Sequence, residues 1–339
     1  MIRQSAEIGF GGIYTSEDVG GAGLGRLDGV LIFEQLSKGD VSTAAFISIH
    51  NMVTWIIDQF GSDRVRKAWV PKLASMELIA SYCLTEPGAG SDAASLTTKA
   101  VRDGDDYVLT GTKQFISGAG TSDLYVVMAR TSDNGARGVS TFIVEKTRTG
   151  LSFGANERKM GWNSQPTRQV IFDEVRIPVA NRIGAEGEGF RFAMAGLDGG
   201  RLNIAACSLG GAQFALDTAL AYAKERKQFG KAIADFQATQ FKLADMETEL
   251  QAARLMLYEA ARRLDVKAPD ATRWCAMAKR YVTDTGFNIA NQALQIHGGY
   301  GYLKEYRMEQ SVRDLRVHQI LEGTNEVMRV IISRDMLRG

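Results

Sequence analysis

The chain has 339 residues, 45% of them apolar and 23% charged, which is the composition of a soluble globular protein able to bury two or three packed units. Lysine plus arginine (40) balance aspartate plus glutamate (39) to a net charge of +1, so no electrostatic argument favours a nucleic-acid or bilayer partner. Cys83, Cys207 and Cys275 lie far apart without a C-x-x-C, and His50, His297 and His318 show no ligand spacing. A disulfide scaffold and a metal centre are therefore not expected. No apolar run approaches the roughly eighteen residues of a membrane span. The first residues lack the hydrophobic core of a secretory signal, which fits a cytoplasmic protein, or a mitochondrial-matrix protein whose presequence is absent.

In chain order, Leu31 to Leu73 has a helical period, with Ile32, Leu36, Ala44, Ile47, Val53, Ile56, Ile57 and Phe60 at threes and fours. Gly39-Asp40 and Gly61-Ser-Asp63 break it. From about Ile79 the period moves toward two. Tyr107-Val-Leu109, Leu124 to Met128, Thr141 to Val144 and Gln169 to Phe172 read as strands, with turns at Arg102 to Asp106 and Ser132 to Gly135. From Phe190 onward helices return, as in Leu243, Met246, Leu250, Ala253 and Leu257. The expectation is an α+β protein with domains at 1–78, 79–189 and 190–339. Segregated helices and strands exclude the usual dinucleotide fold. The loose G-x-G-x-x-A match at Gly88 to Ala93 follows Pro87 and has no strong helix after it, so we read it as false.

Glu322 stands between a short apolar run, Gln319-Ile-Leu321, and a Gly323-Thr-Asn325 break. A carboxylate in a dry, mobile setting can act as general base toward a weakly acidic C–H. Taken alone, a Glu beside a Gly near a helix start is more often a solvated or capping residue. A second segment reverses the balance: Tyr82-Cys-Leu-Thr-Glu-Pro-Gly-Ala-Gly-Ser-Asp92, followed by Phe115-Ile-Ser117. With Gln295-Ile-His-Gly-Gly-Tyr-Gly-Tyr302 and the Glu322 segment, it resembles the acyl-CoA dehydrogenase family of flavoproteins across essentially the whole chain. Trp162-Asn-Ser-Gln-Pro-Thr-Arg168, Leu197-Asp-Gly-Gly-Arg201 and Phe115 look most like the branch of that family acting on isobutyryl-CoA.

The resemblance implies an acyl-CoA dehydrogenase-like fold: an N-terminal helical domain, shorter here than is usual in the family, a central β-barrel-like domain and a C-terminal four-helix bundle. It implies FAD, held by Tyr82, Cys83, Leu84, Thr85 and Ser91, by Phe115, Ile116 and Ser117, and by Thr324, Asn325 and Glu326. Arg226, Phe229, Phe236 and Gln237, with Gln295, Ile296, His297, Gly298 and Gly299, would form an FAD site shared between subunits of a homotetramer. A guanidinium fork suits the pyrophosphate oxygens, and glycines allow close approach of backbone to ligand. Ser91, Arg137, Asp198, Gly199, Gly200, Arg201 and Arg334 would contact the acyl-CoA. The family keeps its base in one of two places. The alternative place falls at Gly200, which cannot abstract a proton, leaving Glu322.

The implied activity is α,β-desaturation of a short branched acyl-CoA, isobutyryl-CoA to methacrylyl-CoA in valine breakdown, with electrons passed to an electron-transfer flavoprotein. Related alternatives are a dehydrogenase for 2-methyl-branched or short straight-chain acyl-CoA, or a flavin oxidase or monooxygenase on the same fold. Desolvation should raise the Glu322 pKa toward neutrality.

Overall fold

The helical period of the first segment becomes α1 (Arg26–Gly39), α2 (Val41–Phe60) and α3 (Asp63–Ala74) in the computed structural model, which describes residues 2–338. The breaks are capped chemically. Asp40 Oδ1 accepts the Thr43 N–H at 2.7 Å, and the Ser62 hydroxyl accepts that of Val65 at 3.4 Å.

The strands are β1 (Ala80–Cys83), β2 (Lys99–Asp103), β3 (Asp106–Ser117), β4 (Leu124–Arg130), β5 (Val139–Glu145), β6 (Leu151–Phe153), β7 (Thr167–Pro178) and β8 (Arg182–Ile183). They form one eight-stranded sheet in the order β6-β7-β3-β2-β4-β5-β8, with β1 paired in parallel to β4. The expected turn at Arg102 to Asp106 is a hairpin with Gly104 in the left-handed region. The helices that follow are α4 (Gly189–Glu225), α5 (Gln237–Asp265), α6 (Ala271–His297), α7 (Met308–Arg316) and α8 (Asn325–Met336), with a small hairpin of β9 (Lys227–Gln228) and β10 (Lys231–Ala232) between α4 and α5. The order helix, strand, helix is the one the sequence periods indicate.

By contacts, the chain divides into two compact units. The first takes the chain up to Gly25, Phe46–Arg158 and Ser164–Leu197, and the second takes Arg26–Ala45, Lys159–Asn163 and everything from Asp198 onward.

In the first unit, β4 is buried on both faces. Leu124, Val126 and Met128 join one core with Ile56, Ile57, Val70, Leu73 and Phe192, while Tyr125, Val127 and Ala129 join another with Tyr107, Phe142, Phe172 and Val175. A strand buried on both sides reads as a continuous apolar run, which is how Leu124 to Met128 looks in the sequence. Beside it, His50 is fully enclosed. Its Nε2 meets the Leu73 carbonyl at 2.9 Å and its Nδ1 accepts the Ala80 N–H at 3.1 Å, a pattern only the neutral ring satisfies. Burial lowers its pKa to about 4, against hydrogen bonds to Leu73 and Gly11 that raise it. A folded-state pKa below the unfolded value gives stability that is complete above pH 6.5 and lost as pH falls toward 4, worth roughly 3 kcal/mol at 1.36 kcal/mol per unit. Urea midpoints measured across that window should drop steeply for the wild type, and less so for His50→Gln, which does not titrate. Equal slopes for the two proteins would refute the assignment.

In the second unit, α6 packs against α5, α7 and α8, and α5 packs against α1. Glu34 on α1 ties the last pair, accepting Arg254 Nε and Nη2 on Oε1 at 3.0 and 2.9 Å and the Tyr258 hydroxyl on Oε2 at 2.7 Å. A Cβ at Gly210 of α4 would fall on the Glu34 carbonyl and the Ser37 hydroxyl, so only glycine permits α4 this close to α1. Contrary to the expectation that no segment is apolar enough to span a membrane, α4 could cross a bilayer by length and composition; 67% of its most apolar stretch is buried inside the protein, as for a bundle's core helix.

Candidate active site

In the first unit a loop and a strand are held face to face. Strand alternation turns Cys83 into the core and leaves Tyr82 half-buried, and the chain leaves β1 through Leu84 and Thr85. The Gln114 N–H donates to the Thr85 carbonyl at 2.8 Å, and Lys113 Nζ donates to the Leu84 carbonyl at 3.0 Å and to Glu86 Oε1 at 2.8 Å. Glu86 in turn accepts the Thr97 N–H at 2.6 Å and the Thr98 N–H at 2.9 Å. Burial alone would push the Glu86 carboxyl up, but the Lys113 ammonium and these donors overcome it and hold it at about 2. This buried pair fixes the segment around Thr85 against β3.

Two residues along β3 from Lys113, pairing with β7 is irregular between Lys113 and Ile116, and Phe115 stands at that irregularity with φ +57° and 64% of its surface exposed. The bulge throws one large ring outward and returns Ile116 to the core. Non-glycine residues held in the left-handed region cost of order 1–3 kcal/mol and gather at ligand sites. Cys83 and Ile116 turn their side chains into the core, so any contact they make with a ligand is through backbone. Ser91 is exposed in the loop beyond Glu86, and Arg137 is exposed in the turn before β5.

The second unit holds Glu322, in the loop between a 3-10 turn, Val317–Gln319, and α8. It too is left-handed, at φ +54°, and is followed by Gly323 at +89°. The residue as a whole is half-buried, yet its Oε2 is sealed from solvent with no hydrogen-bond partner. Desolvation pushes its carboxyl up to about 7, against the opposing charges of Lys279 and Arg201. Arg201 is buried, pairs with Asp198 Oδ1 at 2.6 Å and reaches the Glu322 carbonyl with Nε at 3.4 Å. Gly199 and Gly200 are buried in the same turn of α4; a Cβ at Gly199 would meet the Arg26 guanidinium. Arg334 lies exposed on α8.

The loop is anchored upstream by His318, which is fully buried. The Trp162 indole N–H donates to its Nε2 at 3.2 Å, and its Nδ1 lies 2.6 Å from the Ser208 hydroxyl. Burial lowers the His318 pKa to about 3, aided by Lys279, so the ring stays neutral. Trp162 is itself left-handed and gives its backbone N–H to Asp314 at 2.6 Å.

A separate cavity of about 370 Å³ in this unit is lined by Tyr222, Arg226, Ile233, His297, Gly298 and Tyr300, among others. Tyr222 stacks on His297 at 4.3 Å, and the Arg226 guanidinium lies over the Tyr300 ring. His297 Nδ1 is satisfied by the Ala293 carbonyl, whereas its buried Nε2 has no partner. A Cβ at Gly298 or Gly299 would meet nothing within 4 Å. A guanidinium, an orphaned ring nitrogen, aromatic faces and open glycine backbone suit a nucleotide with its phosphates. Gln295 and Ile296 end α6 beside this cavity, and Gln237 opens α5. Phe236 packs edge-on against Phe229, which is left-handed and 94% exposed in the β9-β10 turn.

The structure thus brings Glu322, Arg201 and Asp198 together, and Arg226 with His297 to Gly299. Thr324 spends its hydroxyl capping α8, the Asn325 side chain is consumed internally, and Glu326 is exposed. Sequence reasoning missed Tyr222, Tyr300 and above all Lys279. The signal for Lys279 was available: it interrupts an otherwise apolar or small stripe, Cys275, Val282, Gly286, Ala290 and Ala293, on α6.

Sequence models of three domains match the chain: acyl-CoA dehydrogenase N-terminal domain at residues 1–77, middle domain at 81–175 and C-terminal domain at 187–337. The mitochondrial isobutyryl-CoA dehydrogenase of Bos taurus is 58% identical over 337 residues, covering 99% of this chain and 81% of that protein. That of Dictyostelium discoideum is 57% identical with the same coverage. The solved butyryl-CoA dehydrogenase of Megasphaera elsdenii superposes with a TM-score of 0.97 at 38% identity, covering 99% of this chain and 89% of its own, and an FAD complex of PigA with 0.96 at 33%, covering 100% and 89%.

Proposed function

This chain belongs to the acyl-CoA dehydrogenase family, and from that premise we propose that it catalyses the FAD-dependent α,β-desaturation of isobutyryl-CoA to methacrylyl-CoA, a step of valine breakdown. The observation that carries the mechanism is the sealed, unbonded Oε2 of Glu322, on a carboxyl raised to about 7. An ordinary carboxylate is too weak a base for a thioester α-proton. One at about 7 is stronger by some two to three pKa units and stays ionised enough at neutral pH to accept the proton. Glu322 takes the α-proton, the electron pair of that C–H bond moves between the α and β carbons, and the β-hydrogen departs with its own pair. Bound FAD supplies the acceptor for that hydride. The exclusion of water around Glu322 strengthens every charge interaction at the reacting carbon.

For the cofactor we assign Thr85 and Ser117, with the outward Phe115 ring, to the flavin end, and Arg226, His297 and the open Gly298-Gly299 backbone to the phosphates and nucleotide. Phe229, exposed and strained beside Arg226, supports a hairpin that reaches a second copy of the chain, within a homotetramer. Asp198, Arg201, Arg137, Arg334 and Ser91 are assigned to the acyl-CoA, and an electron-transfer flavoprotein is the expected acceptor of the electrons. A reducing compartment, bacterial cytoplasm or mitochondrial matrix, suits three buried free thiols.

Purified protein should be yellow and should bleach anaerobically on addition of isobutyryl-CoA. Faster bleaching by butyryl-CoA, the straight-chain isomer, would remove the branched-chain assignment. Rapid reoxidation of the bleached enzyme by oxygen would favour an oxidase.

A further inference from the structure

We propose that Asn325 is a positioning residue for Glu322: with Lys279, Thr283 and Asp284 of α6 it clamps the backbone on both sides of the base and keeps the nearest ammonium off its carboxylate. This rests on Glu322 being the base.

Lys279 and Thr283 stand four residues apart on one face of α6, and Asp284 lies next to Thr283 on the adjoining face. Lys279 Nζ donates to the Gly323 carbonyl at 2.8 Å and to Asn325 Oδ1 at 2.9 Å. The Asn325 amide donates to Thr283 Oγ1 at 3.0 Å and to Asp284 Oδ1 at 2.8 Å. The same Asp284 oxygen accepts Gln319 Nε2 at 2.7 Å, so one carboxylate holds residues three before and three after Glu322. Both Lys279 and Asn325 are buried. The network fixes which way the Asn325 amide points, since its oxygen faces an ammonium and its nitrogen a carboxylate.

Two facts make this more than a tied-down loop. Two successive left-handed residues, one of them not glycine, persist only where the surroundings over-determine them, and the clamp supplies that constraint. A buried ammonium near a buried carboxylate would normally bond to it and restore an ordinary pKa. Here the Lys279 bonds go to a carbonyl and an amide oxygen, and Glu322 Oε2 is left bare. The charged groups around Glu322 are Lys279 from α6 and, from α4, Arg201 with its partner Asp198; the Cys207 thiol of α4 is kept neutral by burial, and Asp284 and Glu326 face Lys279 in turn. His318, on the same loop, is neutral.

The two halves of the clamp predict opposite shifts. Asn325→Ala takes away an acceptor of Lys279, whose ammonium then turns to Glu322 and lowers its titration by about one pH unit or more. Lys279→Met removes the opposing cation and raises it. Infrared difference titration of the protonated carboxyl stretch, in FAD-loaded enzyme without substrate and assigned by its loss in Glu322→Gln, reads the shift without turnover. The acid limb of kcat should follow in the same directions, with kcat for Asn325→Ala lower by about 10²-fold and KM little changed. If Asn325→Ala does not fold, Asn325→Ser serves the same comparison. Shifts of the same sign in both variants, or none in either, would overturn the clamp. Full turnover in Glu322→Gln would instead overturn the base, whatever the titrations show.

Discussion

Glu322→Gln is expected to lower kcat for isobutyryl-CoA by at least about 10²–10⁴-fold, the contribution of general-base catalysis, while FAD content and fold stay at wild-type values. The amide has the carboxylate's shape and cannot take a proton. Because the free carboxyl is pushed up to about 7, kcat/KM of the wild type should fall as pH drops below that value. Stability should move the other way. A carboxyl whose pKa is raised on folding contributes stability that is complete below its unfolded value of 4.5 and lost as pH rises through about 7, so above pH 7 the buried charge destabilises the enzyme. Glu322→Gln should therefore gain on the order of 1–3 kcal/mol at pH 8, seen as a higher denaturant midpoint. An inactive variant with no gain in stability would mean that the carboxylate is better solvated than the geometry shows.

The second large effect lies in the first unit. Glu86→Ala should cost about 3–5 kcal/mol, since it leaves the Lys113 ammonium buried and uncompensated and the Thr97 and Thr98 N–H groups without their acceptor. Replacing both charges together, as Glu86→Leu with Lys113→Met, should recover much of that loss, because the desolvation of both ions disappears. The Glu86 carboxyl, held at about 2, contributes stability that is present above pH 4.5 and lost as pH falls toward 2. Chemical denaturation of the two variants at pH 7 decides the matter. If the single change costs no more than the double, the pair does not hold this segment. Since Lys113 and Glu86 flank Phe115 and Thr85, FAD retention on dilution should weaken along with stability in Glu86→Ala.

Much of this architecture could be read from residue order, because periodicity is a local property. The switch from threes and fours to twos near Ile79, and back near Phe190, marks where helices give way to sheet and return. Glu322 and Arg226, the residues proposed here for the base and for the phosphates, stand out in the sequence because each sits in a distinctive short motif. Lys279 interrupts the apolar stripe of α6, but that stripe carries no sign of what faces the lysine, since its partners Gly323 and Asn325 lie more than forty residues away. The outward turn of Phe115 depends on an irregular pairing of β3 with β7, which no alternation pattern within β3 reveals.

The double burial of β4 alters how the sheet finds its alignment. In a strand with one wet face, sliding by a single residue puts oil into water and is forbidden outright. Here the slide would exchange Leu124, Val126 and Met128 for Tyr125, Val127 and Ala129, apolar sets both, so greasiness alone does not oppose it. The discrimination passes to bulk, since the tyrosine ring and the alanine methyl fill unequal volumes, and to hydrophilic pegs at the two ends. Asp123 accepts the Ile79 N–H at 2.9 Å just before the strand, and Arg130 closes it by donating to the carbonyls of Leu96 and Ala94 at 3.0 and 2.7 Å. Side-chain bulk and those two end residues, and no hydrophobic gradient, hold the middle of the sheet in phase.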